Sequence, residues 1–266
     1  MLLNIEALLL ILTALGQDHT TAVEILNMSL TSVDDQYDGC REEMINLVKT
    51  EHLQKERSAS AEFNEAWQEG EKRAKKPDYN LTRNHSIAIY VYTKHSCNIF
   101  CDFNSATRTE KQKYIEGTFK WYSLHFLLTD AIQILKKTQT TCHSTTYRGT
   151  NVTFEKINTN TEIRLGSFTS SSFNMSVARG FGNVSCFEIQ TCEGVDITKY
   201  SKHQNQKEVL IPPYEIFTVT AVKTKEHDKD LWCETVFVLN SSGEKSFLKC
   251  RKDKNLDSNL GASGFQ

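Results

Sequence analysis

The sequence predicts an α+β fold, in which a helical N-terminal half is followed by a half rich in strands. Two amphipathic helices are indicated in the first half, at residues 61–76 and 119–137, because their apolar residues recur at helical spacing. After Thr138 the chain changes to short runs of alternating and β-branched residues separated by polar turns. Helices first and strands second is the pattern of an α+β domain.

Two further segments of the first half carry local signals. Asp34, Asp35 and Asp38 precede residues 40–45, and acidic residues are favourable at a helix N-terminus, so a helix is expected to begin there. The segment 86–93 reads SIAIYVYT and is rich in β-formers. It fits either a strand or a buried segment of another kind, and the sequence leaves the two open.

The second half contains a series of strand candidates. Alternation and β-branched residues place them at 145–147, 162–169, 186–191, 208–211, 216–222, 235–239 and 246–250. The string Asn-Ser-Ser-Gly at 240–243 indicates a turn.

Composition excludes several classes of protein. The 266 residues include 31 basic and 33 acidic side chains, and this balance argues against a nucleic-acid-binding protein, which would carry a basic excess. The 39% of hydrophobic and 10% of aromatic residues are sufficient for a packed core in one or two domains. No apolar run after the N-terminus approaches the length of about 20 residues that spans a bilayer.

The N-terminus indicates secretion. Residues 1–16 contain the apolar run ALLLILTAL and end in Ala-Leu-Gly, so we interpret them as a signal peptide. The polar tail, residues 251–266, lacks the hydrophobic stretch of a lipid-anchor signal. We therefore expect a secreted protein, with lipid anchoring on the outer cell surface as the alternative if the chain is truncated. Seven sequons agree with secretion and begin at Asn27, Asn80, Asn84, Asn151, Asn174, Asn183 and Asn240.

The even number of cysteines suggests disulfides. There are eight, at positions 40, 97, 101, 142, 186, 192, 233 and 250, and an even count in a secreted chain favours bridges. Zinc is the competing interpretation, but there is no Cys-x-x-Cys, and the close pair Cys97 and Cys101 has no partner pair at ligand spacing. We therefore expect no metal site.

The common catalytic motifs are absent. The chain has no phosphate-binding loop, Gly-x-Ser-x-Gly elbow, His-Glu-x-x-His helix or dinucleotide fingerprint. Its eight histidines are scattered, and His125 on the second predicted helix is most simply a core or surface residue. The residues by themselves therefore lead to a secreted, disulfide-bonded α+β domain of unassigned function.

Five strings in the same order resemble the vertebrate ecto-ADP-ribosyltransferases, whose arginine-specific type has an Arg–Ser–Glu active site. The resemblance runs from about residue 34 to 250, nearly the whole mature chain, and the five strings together are far more specific than any one alone. The strings are DDQYDGC at 34–40, LHFLLTDAIQ at 124–133, TYRGT at 146–150, RLGSFTSSS at 164–172 and EVLIPPYE at 208–215. The resemblance implies a helical part followed by a mixed or antiparallel β-sandwich core.

The resemblance also implies the site. Arg148 is expected to anchor the pyrophosphate of NAD⁺, since a planar guanidinium pairs well with phosphate oxygens. Tyr147 and Gly149 would complete that binding strand, with Gly149 allowing close approach of the cofactor. Glu208 would stabilise the ribose cation that forms when nicotinamide leaves. Ser170 would hold this glutamate and shape the nicotinamide pocket.

One departure from the family bears on the acceptor. Arginine-modifying members of the family carry Glu-x-Glu, whereas this chain reads Gln206-Lys207-Glu208. A guanidinium is protonated in water and needs a base or anionic partner, which glutamine does not supply. We therefore expect an NAD⁺ glycohydrolase, with water as acceptor. Arginine-specific transfer and a catalytically silent binding protein are the alternatives. The polar loop 200–205 is expected to face a target.

The predicted organisation is a signal peptide (1–16), a spacer (17–33), a single catalytic domain (34–250) and a polar tail (251–266). By resemblance, Cys40 pairs with Cys250 and Cys142 with Cys192; for the other four cysteines we expect Cys186–Cys233 and Cys97–Cys101. NAD⁺ is expected as a co-substrate with no permanently bound cofactor. The other expected partners are extracellular or membrane-surface protein acceptors, without nucleic acid, and the protein is expected to be a monomer.

Overall fold

The computed structural model describes residues 23–94, 96–139 and 141–250, apart from the side chain of Cys97. The predicted signal peptide at 1–16, the first part of the spacer and the polar tail at 251–266 lie outside these residues. Within the described part, no helix is both long enough and apolar enough to span a membrane.

Helices dominate the first half, as the sequence predicts. The described α-helices are α1 (Arg41–Leu47), α2 (Leu53–Ala59), α3 (Ala61–Arg73), α4 (Arg83–Tyr92), α5 (Asp102–Thr109), α6 (Lys111–Glu116), α7 (Tyr122–Lys136) and α8 (Met175–Arg179). A π-helical turn at Val48–His52 joins α1 to α2. Ser60 begins α3, because its hydroxyl accepts a hydrogen bond from the Phe63 amide at 3.2 Å.

Helix α4 decides between the two interpretations of segment 86–93. Its apolar and β-branched residues are helical, so the strand alternative is wrong. Residues 85–92 are all buried, and the helix starts in a capping box formed by Thr82 and His85. Burial on every side explains why the segment shows no amphipathic period, and packing outweighs the modest helix propensity of its residues.

The strands form two sheets in the described part of the chain. They are β1 (Val23–Glu24), β2 (Thr146–Thr150), β3 (Thr153–Phe154), β4 (Glu162–Arg164), β5 (Thr169–Ser172), β6 (Ser185–Gln190), β7 (Val195–Asp196), β8 (Glu208–Ile211), β9 (Glu215–Thr224) and β10 (Thr235–Glu244). β1 and β3 form a parallel pair. The remaining eight form one mixed sheet in the order β4-β9-β10-β6-β2-β5-β8-β7, in which only β6 and β10 are parallel.

The pairing between β2 and β5, in the middle of the large sheet, is the shortest in that sheet. It consists of a single position, Tyr147 opposite Ser172. On the β5-β8-β7 side, Phe168, Val195 and Leu210 share one apolar core with the helices. A separate core includes Phe187 and also Val209 and Ile211 of β8. β8 therefore contributes side chains to both cores.

Two strand predictions and one turn prediction differ from the structure. Segment 162–169 is two strands, because Gly166 at φ +72° turns the chain between β4 and β5. The predicted turn at 240–243 instead belongs to β10, whose ladder with β9 shifts register there. Segment 246–250 forms no strand; its amides at Phe247 and Leu248 donate to the Asp34 carboxylate rather than to a neighbouring strand.

Asp34 lies in a buried ion pair rather than at the start of a helix, which corrects the sequence prediction. Its Oδ2 is 2.5 Å from Nη1 of Arg164, and both side chains are fully buried. Arg164 also donates to the carbonyls of Met28, Ser29 and Lys245. Residues 23–33 are thus part of the folded domain and not a spacer, since buried guanidinium donors need these carbonyl partners.

Three disulfides join described cysteines. Cys40–Cys250, Cys142–Cys192 and Cys186–Cys233 have Cα–Cα distances of 5.7, 3.9 and 6.0 Å. The first closes nearly the whole domain, and such long loops restrict the unfolded chain most, by about 4–5 kcal/mol in the entropic account. Cys101 is also disulfide-bonded. Because the Cys97 side chain lies outside the described residues, the Cys97–Cys101 pairing stays a prediction.

Candidate active site

A cleft of about 490 Å³ opens where β2, β5 and β8 meet α8. All six residues that the sequence analysis selects for the site line it. The lining consists of Phe100, Cys101, Tyr147, Arg148, Gly149, Thr150, Asn151, Val152, Ser170, Ser171, Ser172, Val177, Ala178, Phe181, Gln206 and Glu208. Fold topology therefore brings together strands that are far apart in the chain.

Arg148 on β2 is a half-buried cation with unused hydrogen-bonding capacity. Its Nη1 donates to the carbonyl of Ser170 at 2.8 Å, and it forms no ion pair with any described residue. Arg164, by contrast, uses its three guanidinium nitrogens on an aspartate and three carbonyls. Burial lowers the pKa of Arg148, and the guanidinium remains charged. Arg148 is therefore suited to bind an anion in the cleft.

Glu208, the first residue of β8, is almost completely buried at the base of the cleft. Its Oε2 accepts a hydrogen bond from the hydroxyl of Ser201 at 3.3 Å. Among the described residues, Glu208 Oε1 and the Ser170 hydroxyl both lack a hydrogen-bond partner. Buried polar atoms are normally paired. Two unpaired ones that line the same cleft indicate a place for a polar ligand.

Burial raises the pKa of Glu208 to about 7. The hydroxyls of Ser170 and Ser201 and the charge of Arg148 oppose this rise. Ser170 thus lies near the carboxylate, and its role in holding Glu208 stays a prediction; Ser201, which the sequence does not indicate, also donates to this carboxylate. The carboxylate is ionised only in part near neutral pH.

Gly149 has a packing reason for lacking a side chain. A Cβ at this position would lie 2.3 Å from the carbonyl oxygens of both Ala178 and Gly182. The glycine therefore lets the end of α8 and the following turn lie directly against β2. The close approach seen at Gly149 is made by the backbone of Ala178 and Gly182, and close approach by the cofactor stays a prediction.

Gln206 reaches the cleft from a turn. It ends the 3₁₀-helix Gln204–Gln206, and Lys207 follows in the left-handed region at φ 47°. Gln206 and Glu208 are therefore not placed on one face by the alternation of an extended strand. The two side chains nevertheless line the same cleft. Glu208 is the only carboxylate among the described residues that line it.

Two site residues carry no recognisable sequence signal. Ser201 lies in the polar loop 200–205, and the sequence does not distinguish it from its neighbours. Tyr92 on α4 is buried behind Ser170, donates to the carbonyl of Phe168 at 3.0 Å and accepts from Asn104 at 3.3 Å. Burial raises its pKa to about 12, so this phenol is neutral. Both residues reach the site through tertiary packing.

Metal binding is not indicated by the described side chains, because they contain no group of three His, Cys, Asp or Glu placed to hold an ion. The cleft instead offers an uncommitted guanidinium, a carboxylate and a hydroxyl around a space large enough for a small organic molecule. Two aromatic rings, Phe100 and Phe181, are also part of its lining.

Comparison with known families agrees with this site. Residues 26–239 match the family described as NAD:arginine ADP-ribosyltransferase. The chain belongs to this family. It is 35% identical over 234 residues to ecto-ADP-ribosyltransferase 5 of Rattus norvegicus, which covers 81% of this chain and 75% of the relative. It is also 35% identical over 209 residues to the erythroblast NAD(P)⁺–arginine ADP-ribosyltransferase of Gallus gallus, covering 74% of this chain and 67% of the relative.

Solved structures give the same assignment. A mutant of the eukaryotic mono-ADP-ribosyltransferase ART2.2 in complex with NAD superposes with a TM-score of 0.70 and 30% identity, covering 85% of this chain and 98% of that chain. A second ART2.2 mutant, in complex with NADH, has a TM-score of 0.71. The ecto-ADP-ribosyltransferase resemblance and the α+β fold are thus confirmed, and NAD⁺ is the family's co-substrate. The names of these relatives describe ADP-ribosyl transfer, to arginine in the chicken enzyme, and favour the transferase alternative over the glycohydrolase expectation.

Proposed function

We propose that this chain cleaves the nicotinamide–ribose bond of NAD⁺ in the cleft and transfers ADP-ribose to the guanidinium of arginine. The observation that supports this proposal most is that Arg148, Ser170 and Glu208 line one cleft. No described carboxylate forms an ion pair with the Arg148 guanidinium. Two buried oxygens without partners accompany it. Dinucleotides present the matching groups, namely a pyrophosphate dianion and ribose hydroxyls.

The three residues divide the chemistry between them. Arg148 binds the pyrophosphate and fixes the position of the dinucleotide. Oε1 of Glu208 accepts a hydrogen bond from a ribose hydroxyl, and its charge stabilises the oxocarbenium-like sugar as the C–N bond breaks. The bonding electrons leave with nicotinamide, which departs neutral. The Ser170 hydroxyl is the polar contact for the nicotinamide end.

Arginine attacks the exposed anomeric carbon from the open side of the cleft. A guanidinium nitrogen forms the new C–N bond and releases one proton. Ionised Glu208 is the only carboxylate lining the described cleft, so it is the available anionic partner for the incoming guanidinium.

Hydrolysis is a second candidate, favoured by Gln206. At this position a neutral amide faces the cleft where the family's arginine-modifying members carry a second carboxylate. Water needs no anionic partner for binding, and it competes with arginine whenever the acceptor is held weakly. The balance between the two acceptors is therefore an outcome to be measured.

The test is nicotinamide release from NAD⁺ by the purified, disulfide-intact protein, with and without agmatine as a small guanidine acceptor. Formation of ADP-ribosyl-agmatine supports transfer, whereas free ADP-ribose alone supports hydrolysis. No nicotinamide release under either condition would contradict enzymatic function and support the catalytically silent binding protein. An extracellular location, with or without a lipid anchor, is part of this proposal.

A further inference from the structure

Three of the seven sequons lie at the rim of the cleft. Asn151 directly follows β2 and lines the cleft. Asn183 donates its backbone amide to Asn151 Oδ1 at 3.4 Å, so the two lie side by side. Asn174 begins α8, whose residues Val177 and Ala178 line the same cleft. Of the seven sequon asparagines, Asn151 itself lines the cleft, and Asn174 and Asn183 lie beside lining residues.

All three rim asparagines are accessible to a modifying enzyme. Each is exposed. The side-chain hydrogen bonds of Asn151 and Asn174 use Oδ1, which accepts from Asn183 and Ser176 respectively. Nδ2 is the atom to which a sugar is attached, and it makes no hydrogen bond to a described residue at either position. Modification therefore breaks none of these contacts.

We propose that N-linked oligosaccharides at Asn151, Asn174 and Asn183 form a size filter over the cleft, which admits NAD⁺ and small acceptors but hinders folded polypeptides. In the modification, the asparagine amide attacks the anomeric carbon of a lipid-diphosphate-linked oligosaccharide. A C–N bond forms, the sugar–phosphate bond breaks with its electrons on the lipid diphosphate, and the amide loses one proton. The filter rests on the proposed function, since it acts on the acceptor of that reaction.

Geometry supports a filter rather than a block. The three sugars would be attached directly after β2, at the start of α8 and in the turn before β6. Asn174 also lies close to Gln206, because its amide donates to the Ser172 hydroxyl at 2.9 Å and that hydroxyl donates to the Gln206 carbonyl at 2.6 Å. The attachment points are therefore at the edge of the cleft, and bulky, hydrated oligosaccharides extend from them into solvent. NAD⁺ and small acceptors pass between the oligosaccharides, whereas a folded protein is held away from the cleft.

The experiment compares two proteins secreted from glycosylation-competent cells. The rim variant combines Thr153→Ala, Ser176→Ala and Asn183→Gln; it removes all three sequons and retains Asn151 in the cleft and Asn174 as the helix cap. The matched control is Asn240→Gln, which removes a sequon on β10 outside the cleft. Site occupancy is mapped by glycopeptide mass spectrometry, and folding is checked by thermal melting.

The expected result has three parts. The rim sites are occupied, and nicotinamide release from free NAD⁺ is the same in parent and rim variant. Transfer to an arginine-rich folded protein, relative to agmatine, rises by at least about tenfold in the rim variant, equivalent to roughly 1.4 kcal/mol in barrier. The Asn240→Gln control does not change this ratio.

Several outcomes would overturn the filter. They are unoccupied rim sites, an unchanged ratio, or no transfer to either acceptor in either form. Loss of nicotinamide release in both forms would instead contradict the proposed function, and the occupancy map would still report on the sites.

Discussion

The hydroxyl of Ser201 lies 3.3 Å from Oε2 of Glu208 and donates a hydrogen bond to this carboxylate. Ser201 also accepts from the amide of His203 at 3.1 Å, and the neighbouring Lys202 amide donates to Thr93. These hydrogen bonds connect the polar loop 200–205 to Thr93, at the end of α4, and to Glu208. The loop expected to face a target thus also sets the environment of the carboxylate.

The first prediction concerns pH. The active form of Glu208 is the carboxylate, and burial raises its pKa to about 7, so kcat/KM for NAD⁺ is expected to rise with pH and level off above that value. Ser201→Ala removes a hydrogen bond that favours the charged form, so the midpoint shifts to higher pH. Ser201→Thr keeps the hydroxyl and restores the parent profile. Identical midpoints in parent and Ser201→Ala would show that this hydrogen bond does not tune Glu208.

Glu208→Gln is expected to lower NAD⁺ cleavage by about 10²–10³-fold, because the neutral amide does not stabilise a developing cation. The variant should fold, since the parent carboxylate is itself partly protonated near neutral pH. Nicotinamide release and thermal melting measure the two effects separately. Glu155→Gln, at an exposed loop position, is the matched control. Parent-like cleavage by Glu208→Gln would end the assignment of this residue.

Arg148→Lys keeps the charge but loses the planar pair of donors. Loss of a charge-assisted contact of roughly 1.5–3 kcal/mol is expected to weaken ADP-ribose binding about 10–100-fold and to raise KM for NAD⁺. Calorimetry with ADP-ribose is the measurement. Arg164→Lys is the contrasting variant, because Arg164 is buried in an ion pair, and its change should lower the melting temperature instead. Equal ADP-ribose affinity in parent and Arg148→Lys would place the pyrophosphate elsewhere.

Gln206→Glu is expected to increase the ratio of arginine transfer to hydrolysis by about tenfold or more, equivalent to at least roughly 1.4 kcal/mol. A carboxylate at this position would line the cleft and could pair with an incoming guanidinium or accept its proton. The neutral amide of Gln206 provides neither a negative charge nor a base. Labelled NAD⁺ with agmatine gives both products in one assay. Gln204→Glu, two residues earlier and outside the cleft lining, controls for added charge. An unchanged ratio would mean that Gln206 does not select the acceptor.

Glu56 provides a prediction about stability. Its Oε1 accepts from the Ser123 amide at 2.7 Å, and burial raises its pKa to about 8. The folded state therefore retains a proton that the unfolded chain releases near pH 4.3, so stability falls as pH rises from about 4.3 to about 8 and levels off above that value. Glu56→Gln keeps the acceptor and removes the titration. Its melting temperature should match the parent near pH 4 and exceed it by a few degrees near pH 9; parallel melting curves would contradict this.

The order of elements is largely a property of the sequence, because it depends on local periodicity. Helices α3 and α7 follow apolar residues at helical spacing, and β8 coincides with the predicted 208–211. Family strings contain five of the six site residues, Gln206 being the exception, and all six line one cleft. Local pattern failed at α4, where burial on all sides removes the amphipathic period that distinguishes helix from strand.

Only the tertiary structure decided which polar side chains find hydrogen-bond or ion-pair partners within the protein. Arg148 and Arg164 both occur on short strands in family strings, and residue type and local pattern do not separate them; the resemblance alone singled out Arg148. The partner of Arg164 lies 130 residues away at Asp34, whereas no described carboxylate pairs with Arg148. Ser201 likewise reaches Glu208 only through the fold of its loop. Pairing and burial are set by contacts between distant parts of the chain, and these determine whether an arginine supports the fold or remains available to a ligand.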